Sequence, residues 1–306
     1  MMRLGIDVGG TKTAAVLLAP DGAVVGQHQV PTALGEGVVD SVLVAARVVL
    51  RDAGIGVAEL DGVGLGIPGQ VDADRSRIRN AVHLGLGTFD VGTAVGDRLG
   101  TRVLVENDVN AAALGARHLL DGHLLGEASA AFAYLGLGTG IAAGVLLDGA
   151  VWRGATGVAG EIGHVPVPGA TGVCRCGQTG CLETVAAGWA LAERWGEPWP
   201  AARMLEAVRA GSATASAEWH VVVDALAHAV RMLVLTLDVG TVAIGGGMRG
   251  LGAPLIDGIR GRLDDWSAAS PFLAALAIPS RVHMVPAGSQ PAAVGAAIVG
   301  SSAWKS

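Results

Sequence analysis

Apolar positions recur along the chain with two periods, and their alternation predicts alternating helices and strands. A period of about 3.6 residues is typical of an amphipathic helix. It predicts helices over Val38–Ala53, Val91–Leu99, Asp108–Leu120, Leu182–Trp195, Arg203–Ala210, Ala217–Asp238, Pro254–Trp266 and Pro291–Val299. Short apolar runs predict strands at Gly62–Gly66, Arg102–Val105 and Thr241–Ile244, and a first strand that begins at Arg3. This order of elements indicates an α/β protein with mixed sheets.

One hairpin pattern occurs twice. Residues 4–25 resemble residues 135–151, since each segment reads as an apolar strand, a Gly/Thr turn, a second apolar strand and an Asp-Gly turn. The repetition predicts two related lobes. Coincidence between two common hairpins is the alternative.

Composition excludes several classes of protein. With 306 residues, 51% of them hydrophobic and 16% charged, the chain can bury a large core, and disorder is excluded. A net charge of -6 and only two lysines give no basic face for nucleic acid. The apolar stretch near Val221–Leu237 contains Asp224, His228 and Arg231, so we expect no membrane span. Since the first strand leaves no room for a signal peptide, we expect a cytoplasmic protein.

The first chemical motif joins a strand end to a glycine turn. It contains Asp7, Gly9, Gly10, Thr11, Lys12 and Thr13. The glycines allow backbone N–H groups to approach a phosphate closely, and the hydroxyls and the lysine add donors and charge. A plain hairpin turn is the alternative, but the position of the first lysine here favours phosphate binding.

Two later glycine turns extend this interpretation. Gly138-Thr139-Gly140 lies in the second hairpin and is predicted to hold the other side of a phosphate chain. Gly245-Gly246-Gly247 follows an apolar strand, where a base or ribose can lie against bare backbone. A tight strand-to-helix turn explains the latter equally well.

The triplet Glu106-Asn107-Asp108 follows a predicted strand and opens a helix. The helix dipole favours an ionised carboxylate in the first turn. Capping is the ordinary role of Asp and Asn there, and we expect it for one member of the triplet. A carboxylate at the mouth of a cleft is also placed to accept a proton from a sugar hydroxyl that attacks a phosphoryl group.

All three cysteines fall in one loop, which predicts a metal site. His164, Cys174, Cys176 and Cys181 form a closed set of four ligands suited to structural Zn²⁺. Buried cysteines beside a core histidine are the alternative. Glu161 and Glu183 flank this loop, where a fixed carboxylate can accept hydrogen bonds from vicinal hydroxyls, although surface carboxylates are the ordinary interpretation.

Together these motifs resemble the ROK family of bacterial sugar kinases and sugar-responsive repressors, within the actin-like ATPase superfamily. The likeness spans nearly the whole chain. In family order it comprises DVGGTKT at 7–13, GIPG at 66–69, END at 106–108, LGTG at 137–140, GEIGH at 160–164, CRCGQTGCLE at 174–183 and IGGG at 244–247. It implies two RNase H-like lobes with a cleft between them and a structural zinc loop at 164–183. Residues 1–107 and a C-terminal helix at 291–306 would form the small lobe, and 108–290 the large one.

The resemblance also implies residue roles. Asp108 would be the general base for the sugar 6-hydroxyl, and Asp7 would orient Mg²⁺ through water. The sugar would be held by Gly69, Asn107, Glu161, His164 and Glu183, with His164 also on zinc. Gly9–Thr13 and Gly138–Gly140 would face the phosphates of ATP, and Gly245–Gly247 the adenosine.

The chain departs from the family pattern beside the expected sugar pocket. Val82-His83-Leu84 stands where family kinases usually carry Pro-Asn-Leu, and Gly87-Thr88-Phe89 stands where a Trp is common. His83 would contact a substituent on a non-glucose sugar, and a packed surface histidine is the alternative. Asp238-Val239-Gly240 also replaces a usual Asn-Pro or Asp-Pro, near the adenine pocket.

The expected function is an ATP-dependent hexose kinase acting on glucose or on an amino sugar, such as kanosamine or a mannosamine-type or glucosamine-type sugar. A sugar-sensing repressor is the alternative from another class, but its members carry a winged helix before the first motif, and only two Met precede Arg3 here. A catalytically inactive sugar-binding protein and polyphosphate as donor are further alternatives. By family analogy we expect a homodimer. The charge and hydropathy of the chain predict neither a nucleic-acid nor a membrane partner.

Overall fold

The computed structural model describes residues 1–121, 131–196 and 200–301. Its strands are β1 (Met2–Val8), β2 (Lys12–Leu18), β3 (Val24–Pro31), β4 (Leu60–Ile67), β5 (Gln70–Val71), β6 (Ile78–Arg79), β7 (Val103–Asn107), β8 (Ala131–Leu137), β9 (Ile141–Leu147), β10 (Ala150–Val151), β11 (Thr241–Gly245) and β12 (Val282–Met284). Its α-helices are α1 (Val38–Ala53), α2 (Val91–Leu99), α3 (Asp108–Asp121), α4 (Leu182–Ala186), α5 (Gly188–Trp195), α6 (Pro200–Arg209), α7 (Ala213–Leu237), α8 (Ala253–Ala268), α9 (Pro271–Leu276) and α10 (Pro291–Gly300).

The chain divides into two compact units. The first comprises Met1–Gly126, Ala150–Ala159 and Gly288–Ser306, and the second comprises Glu127–Gly149 and Gly160–Ala287. Helix α3 and the segment 150–159, which the sequence analysis assigned to the larger lobe, group with the first unit.

The first unit is built on a five-stranded sheet with the order β3-β2-β1-β4-β7. Strands β1, β4 and β7 are parallel, and β2 is antiparallel to both β1 and β3. Side chains alternate along β2: Leu17 packs in the core beneath α1, whereas Val16 and Leu18 pack with α10. Because successive strand residues point to opposite faces, α1 and α10 cover opposite faces of the sheet.

Helix α10 lies unusually close to this sheet. A Cβ at Gly5 would lie 1.9 Å from the carbonyl oxygen of Ala293, and one at Gly64 would lie 1.8 Å from that of Ala296. Glycine is therefore required where β1 and β4 meet the backbone of α10. This contact closes the first unit with the last helix of the chain.

The second unit repeats the topology. Its strands β9, β8, β11 and β12 are neighbours in that order, with β8 antiparallel to β9 and parallel to β11. The first unit has the same arrangement in β2, β1 and β4. The Asp-Gly turn predicted after β9 is present, since Asp148 and Gly149 have φ of 50° and 80°.

Helix α7 is the long helix of the second unit. By length and composition it could cross a membrane, but half of its most apolar window is buried inside the protein. Its side chains Val222, Leu226 and Val230 lie in the core, and Asp224 forms an ion pair with Arg262 of α8. A buried core helix can have the same length and hydropathy as a helix that spans a membrane.

The predicted elements agree with the structure except where the chain turns sharply. Helices α1 and α2 have the predicted bounds. The single helix predicted over 182–195 is wrong: it is interrupted at Ala187, whose extended backbone lets the N–H of Gly188 donate to the carbonyl of Gly138 at 2.9 Å. The short elements α9 and β12 were not predicted, because six and three residues carry too little periodicity.

Candidate active site

Three parallel strands of the first unit end at one edge of the sheet, and their ends carry polar groups. Asp7 of β1 pairs in register with Gly66 of β4, and Gly66 pairs with Glu106 of β7. A Cβ at Gly66 would lie 3.7 Å from the Cα of Asp108. The bare backbone of β4 therefore separates Asp7 from the start of α3. Ligands of α/β sheets bind at such carboxyl ends of strands.

The carboxylates of Asp7 and Asp108 interact across this edge. Burial, together with the smaller effect of the Asp108 charge, raises the pKa of Asp7 to about 8. Two carboxylates that share a site disfavour each other's ionised form unless a cation lies nearby. Oxygen ligands of this kind suit Mg²⁺, so the residues present fit a divalent cation.

The predicted phosphate turn joins β1 to β2. The N–H of Gly9 donates to the carbonyl of Lys12 at 2.9 Å, and Gly10, Thr11 and Lys12 are exposed. Thr13 is fully buried, and its hydroxyl lies 2.9 Å from that of Thr32. Thr11 and Lys12 are thus exposed, whereas Thr13 connects the turn to Thr32, the residue after β3.

Asn107 performs the capping expected for one member of its triplet. Its Oδ1 accepts hydrogen bonds from the N–H groups of Val109 and Asn110 at 3.0 and 3.1 Å, and its Nδ2 donates to the carbonyl of Gly69 at 3.2 Å. These bonds begin α3 and hold the Gly69 loop beside it. Asp108 therefore has a fixed position in the first turn.

Glu106 received no role from the sequence, yet it is the most enclosed of the three. Its side chain is 1% exposed and pairs with both Arg75 and Arg153. Its Oε1 accepts from the N–H of Asn107 and from Nδ2 of Asn110 at 3.1 and 3.3 Å. The position of this glutamate at the end of an apolar strand could have indicated the ion pairs, because a buried charged side chain needs partners.

The departure from the family pattern at residues 82–84 forms a short 3-10 turn. Leu84 is buried and anchors the turn, and Gly85 ends it at φ 70°. Val82 and His83 are exposed. His83 is therefore a surface residue of the first unit.

In the second unit, Glu183 joins the end of the cysteine loop to the glycine turn between β8 and β9. Its Oε1 accepts from the N–H of Ile141 at 2.7 Å, and its Oε2 accepts from Nε1 of Trp189 at 3.1 Å. A Cβ at Gly140 would lie 2.6 Å from Oε1. The hydrogen bond between this carboxylate and Ile141 thus fixes the position of the turn Gly138–Gly140.

The four predicted metal ligands converge in the second unit. The ligand atoms of His164, Cys174, Cys176 and Cys181 all lie within 4.8 Å of one another. Sγ of Cys176 is 3.7 Å from that of Cys181, and Sγ of Cys174 is 3.6 Å from Nδ1 of His164. A tetrahedral zinc with bonds of about 2.3 Å to sulfur requires sulfur atoms about 3.8 Å apart. The donor set and its spacing fit Zn²⁺.

The two ring nitrogens of His164 face different groups. Whereas Nδ1 lies against the thiol of Cys174, Nε2 lies 3.9 Å from a carboxylate oxygen of Glu161. Glu161 itself has a side chain that is 57% exposed. A metal at Nδ1 would leave an Nε2–H donor beside an accessible carboxylate.

The glycine turn after β11 lies beside the turn Gly138–Gly140. Gly245 pairs in register with Gly136, and a Cβ at Gly245 would lie 2.2 Å from the ring of Tyr134. Gly246 has φ of 78°, and a Cβ there would lie 2.4 Å from the carbonyl oxygen of Leu137. Glycine is therefore required at 245 and 246 by packing within the second unit, whereas the space beside Gly247 is open.

Sequence comparison finds sugar kinases and a repressor among the relatives of this chain. A glucokinase of Halalkalibacterium halodurans is 34% identical over 193 residues, which cover 62% of this chain and 57% of the relative. An N-acetylmannosamine kinase of Haemophilus influenzae is 28% identical over 250 residues, or 80% of each chain. A putative xylose repressor of a Caldicellulosiruptor species is 31% identical over 195 residues, or 61% of this chain and 47% of the relative.

Solved structures share the fold over nearly the full length. A ROK hexokinase of Thermus thermophilus is 30% identical, with a TM-score of 0.76 and 98% of each chain covered. A ROK glucokinase of Streptomyces griseus in complex with glucose and AMPPNP is 26% identical, with a TM-score of 0.79 and coverage of 98% and 99%. The family model named ROK family matches residues 3–301. With its two repeated hairpins, its paired aspartates and its Cys3His cluster, the chain belongs to the ROK family.

Proposed function

We propose that this protein is an ATP-dependent hexose kinase that transfers the γ-phosphoryl group to the 6-hydroxyl of a hexose. The observation that carries the proposal is the pair Asp7 and Asp108 at one edge of the sheet, close enough for Asp108 to raise the pKa of Asp7. Asp7 would then hold the cation, and Asp108 would accept the proton. This division of labour is what phosphoryl transfer to a hydroxyl requires.

In the proposed reaction Asp108 acts as the general base. The hexose oxygen forms a bond to the γ-phosphorus, the bond from that phosphorus to the leaving oxygen of ADP breaks, and the hydroxyl proton passes to the Asp108 carboxylate. The cap formed by Asn107 holds the first turn of α3, which fixes Asp108 for this transfer. Mg²⁺, held by Asp7 through water, would neutralise phosphate charge.

Exposed glycine turns are proposed to bind the phosphates of ATP through their backbone N–H groups. In the first unit the exposed residues Gly10, Thr11 and Lys12 offer N–H groups, a hydroxyl and a positive charge. In the second unit the turn Gly138–Gly140 is fixed by Glu183, and the turn Gly245–Gly247, which is open at Gly247, is proposed to contact adenosine. Thr13 would support the first turn from inside the sheet.

The proposed sugar ligands are rich in hydrogen-bond acceptors. Asp108, Glu161 and Glu183 offer carboxylate oxygens, Asn107 and Gly69 offer an amide and a carbonyl, and Nε2 of His164 offers a donor. Such a set matches the vicinal hydroxyls of a hexose. Relatives that are named glucokinase and N-acetylmannosamine kinase support either glucose or an amino sugar as acceptor. His83 would distinguish between them by contact with a sugar substituent.

The cysteine loop is proposed to hold structural Zn²⁺. His164, Cys174, Cys176 and Cys181 would occupy all four positions of a tetrahedral ion, which leaves none for substrate. The metal would supply rigidity to the loop that ends in Glu183.

We also propose that the protein forms a homodimer, as expected from the family. Sedimentation velocity measures its oligomeric state.

Sugar sensing without catalysis is the second candidate, because a putative xylose repressor matches 61% of this chain. A sensor would bind a sugar without consuming ATP. The same assay therefore separates the two functions.

The decisive experiment is coupled ADP release with Mg-ATP across glucose, mannose, fructose, N-acetylmannosamine, N-acetylglucosamine, glucosamine and kanosamine. The matched control is Asp108→Asn, which preserves volume and removes the base. We expect kcat to fall about 10²–10⁴-fold in this variant, with a smaller effect on sugar binding, because asparagine still offers an amide oxygen. Turnover of no sugar, with calorimetric binding of one, would favour the sensor.

A further inference from the structure

Glu106 is the centre of a buried charge cluster and lies two residues before the proposed base, Asp108. Its carboxylate is 1% exposed, and its Oε2 accepts hydrogen bonds from Arg75 at 2.9 Å and from Arg153. Arg75 is 13% exposed and Arg153 is 33% exposed. A buried carboxylate that binds two guanidinium groups persists only where its geometry is maintained by further hydrogen bonds.

Those further bonds connect Glu106 to the first turn of α3. While Oε2 binds the arginines, Oε1 accepts from the backbone N–H of Asn107 and from Nδ2 of Asn110. Asn107 in turn caps α3 and holds the carbonyl of Gly69. The Glu106 carboxylate therefore holds Asn107 and Asn110, the residues on either side of Asp108 and Val109 at the start of α3.

The two arginines bring two separate loops to this carboxylate. Arg75 lies in the hairpin between β5 and β6 with φ of 56°, and its backbone bonds to β7, since the N–H of Val105 donates to its carbonyl at 2.8 Å. Burial lowers the pKa of Arg75, and the charge of Glu106 opposes this. Arg153 follows β10 and starts the glycine-rich segment that runs along the chain to Glu161.

We propose that Arg153 is a positioning residue for phosphoryl transfer, which through Glu106 fixes the turn that carries Asn107 and Asp108. Arg75 holds Glu106 from the β5–β6 hairpin as the more enclosed partner, and Arg153 is the more exposed one. The cluster makes the position of the base depend on the conformation of residues 150–159, the segment that leads to the proposed sugar ligand Glu161. This inference rests on the proposed function for its catalytic consequence only.

The test compares Arg153→Met, Arg153→Lys and Arg98→Met with the unmodified protein. Methionine keeps the apolar stem of Arg153, and the pair between Glu106 and Arg75 remains, so the variant is expected to fold. Arg98 is the matched control, because it forms a surface pair of 2.7 Å with Asp40 in the same unit. Such exposed pairs contribute little.

We expect Arg153→Met to lower kcat about 10-fold or more, since small displacements of a reacting group are costly. KM for ATP should stay within about twofold, Arg153→Lys should recover part of kcat, and Arg98→Met should behave as the unmodified protein. A lower melting temperature with unchanged kcat would overturn the proposal, because it would show a purely structural contact.

Amide hydrogen exchange tests the same cluster without any assumed activity. Arg153→Met should speed exchange at Asn107, Val109 and Asn110, whose N–H groups depend on the cluster, while the core of β1 keeps its protection. Unchanged exchange at these three amides would refute the positioning role even in an active enzyme. Faster exchange in a protein that phosphorylates no sugar would instead uphold the cluster and refute the proposed kinase activity.

Discussion

Asp7 shows how a residue's chemistry depends on where the fold places it. In an unfolded chain its carboxyl group would titrate near its ordinary pKa of 3.8, but in the first unit its pKa is raised to about 8. Burial is the larger cause and the Asp108 charge the smaller. The folded protein therefore retains a proton that the unfolded chain has released, and linkage makes this a statement about stability.

Without divalent cations, the contribution of Asp7 to stability should be fully present below about pH 4 and be lost as the pH rises towards about 8. The limiting slope for one group is about 1.4 kcal/mol per pH unit. Asp7→Asn cannot ionise, so its free energy of unfolding should fall less steeply across this window. Urea unfolding at pH 5, 6, 7 and 8 in buffer without added Mg²⁺ measures both slopes. Parallel curves for the two proteins would contradict the raised pKa.

At the scale of elements, the cysteine loop acts through its contacts with the neighbouring helices and the glycine turn. The loop ends at Cys181, and two residues later Glu183 binds the N–H of Ile141, the first residue after the turn Gly138–Gly140. Trp189 of α5 holds the other carboxylate oxygen, and Arg175 of the loop stacks on its ring at 4.5 Å. These side-chain contacts therefore connect the cysteine loop to the proposed phosphate turn.

Cys176→Ser should remove one of four zinc ligands, and because Cys176 is exposed, little core packing changes with it. We expect the zinc content to fall from about one per chain and the melting temperature to drop. KM for the sugar should rise, because His164 and Glu183 are proposed sugar ligands held by this loop, and KM for ATP should rise as well, because Glu183 also supports the phosphate turn. Metal analysis and steady-state kinetics measure these effects.

Trp189→Phe is the matched variant, since it removes only the indole donor to Glu183 and leaves all four metal ligands. This variant should keep its zinc, and its KM for ATP should rise less than that of Cys176→Ser. An unchanged zinc content in Cys176→Ser would show that the thiols do not form the metal site.

At the scale of the whole molecule, the first unit is assembled from three distant segments of the chain. Its last segment supplies α10, whose buried residues include Ala293, Val294 and Ala297, and whose backbone contacts the glycines of β1 and β4. Without this helix, apolar side chains on one face of the sheet would be exposed to solvent. The two units should therefore differ in their dependence on the C-terminus.

A chain that ends at Ala287 should lose the first unit but retain the second. Removal of α10 exposes Val16 and Leu18 of β2, which pack with this helix. Hydrogen exchange with mass spectrometry should show fast exchange in peptides from β1, β2 and β4 and persistent protection in α7 and β11. Full protection of the β1–β4 peptides in the truncated chain would contradict this expectation.

Patterns along the chain were enough to predict most of the elements, the repeated hairpin and the membership of the ROK family, which the family match confirms. Helices α1 and α2 could be predicted to the residue because their apolar periods end at a glycine in the left-handed region, Gly54 and Gly100. The clustered cysteines indicated one metal site because their spacing along the chain is local. Local signals of this kind are present in the sequence before any tertiary contact forms.

The partners of the polar side chains, in contrast, are known only from the folded structure. The sequence could not show that Thr13 faces Thr32, that Asn107 holds the carbonyl of Gly69, or that Glu183 supports a glycine turn. Nor could it pair Glu106 with Arg75 and Arg153, which are 31 and 47 residues away along the chain. Such contacts arise when strands and loops distant in sequence meet at one sheet edge, and no local pattern encodes that meeting.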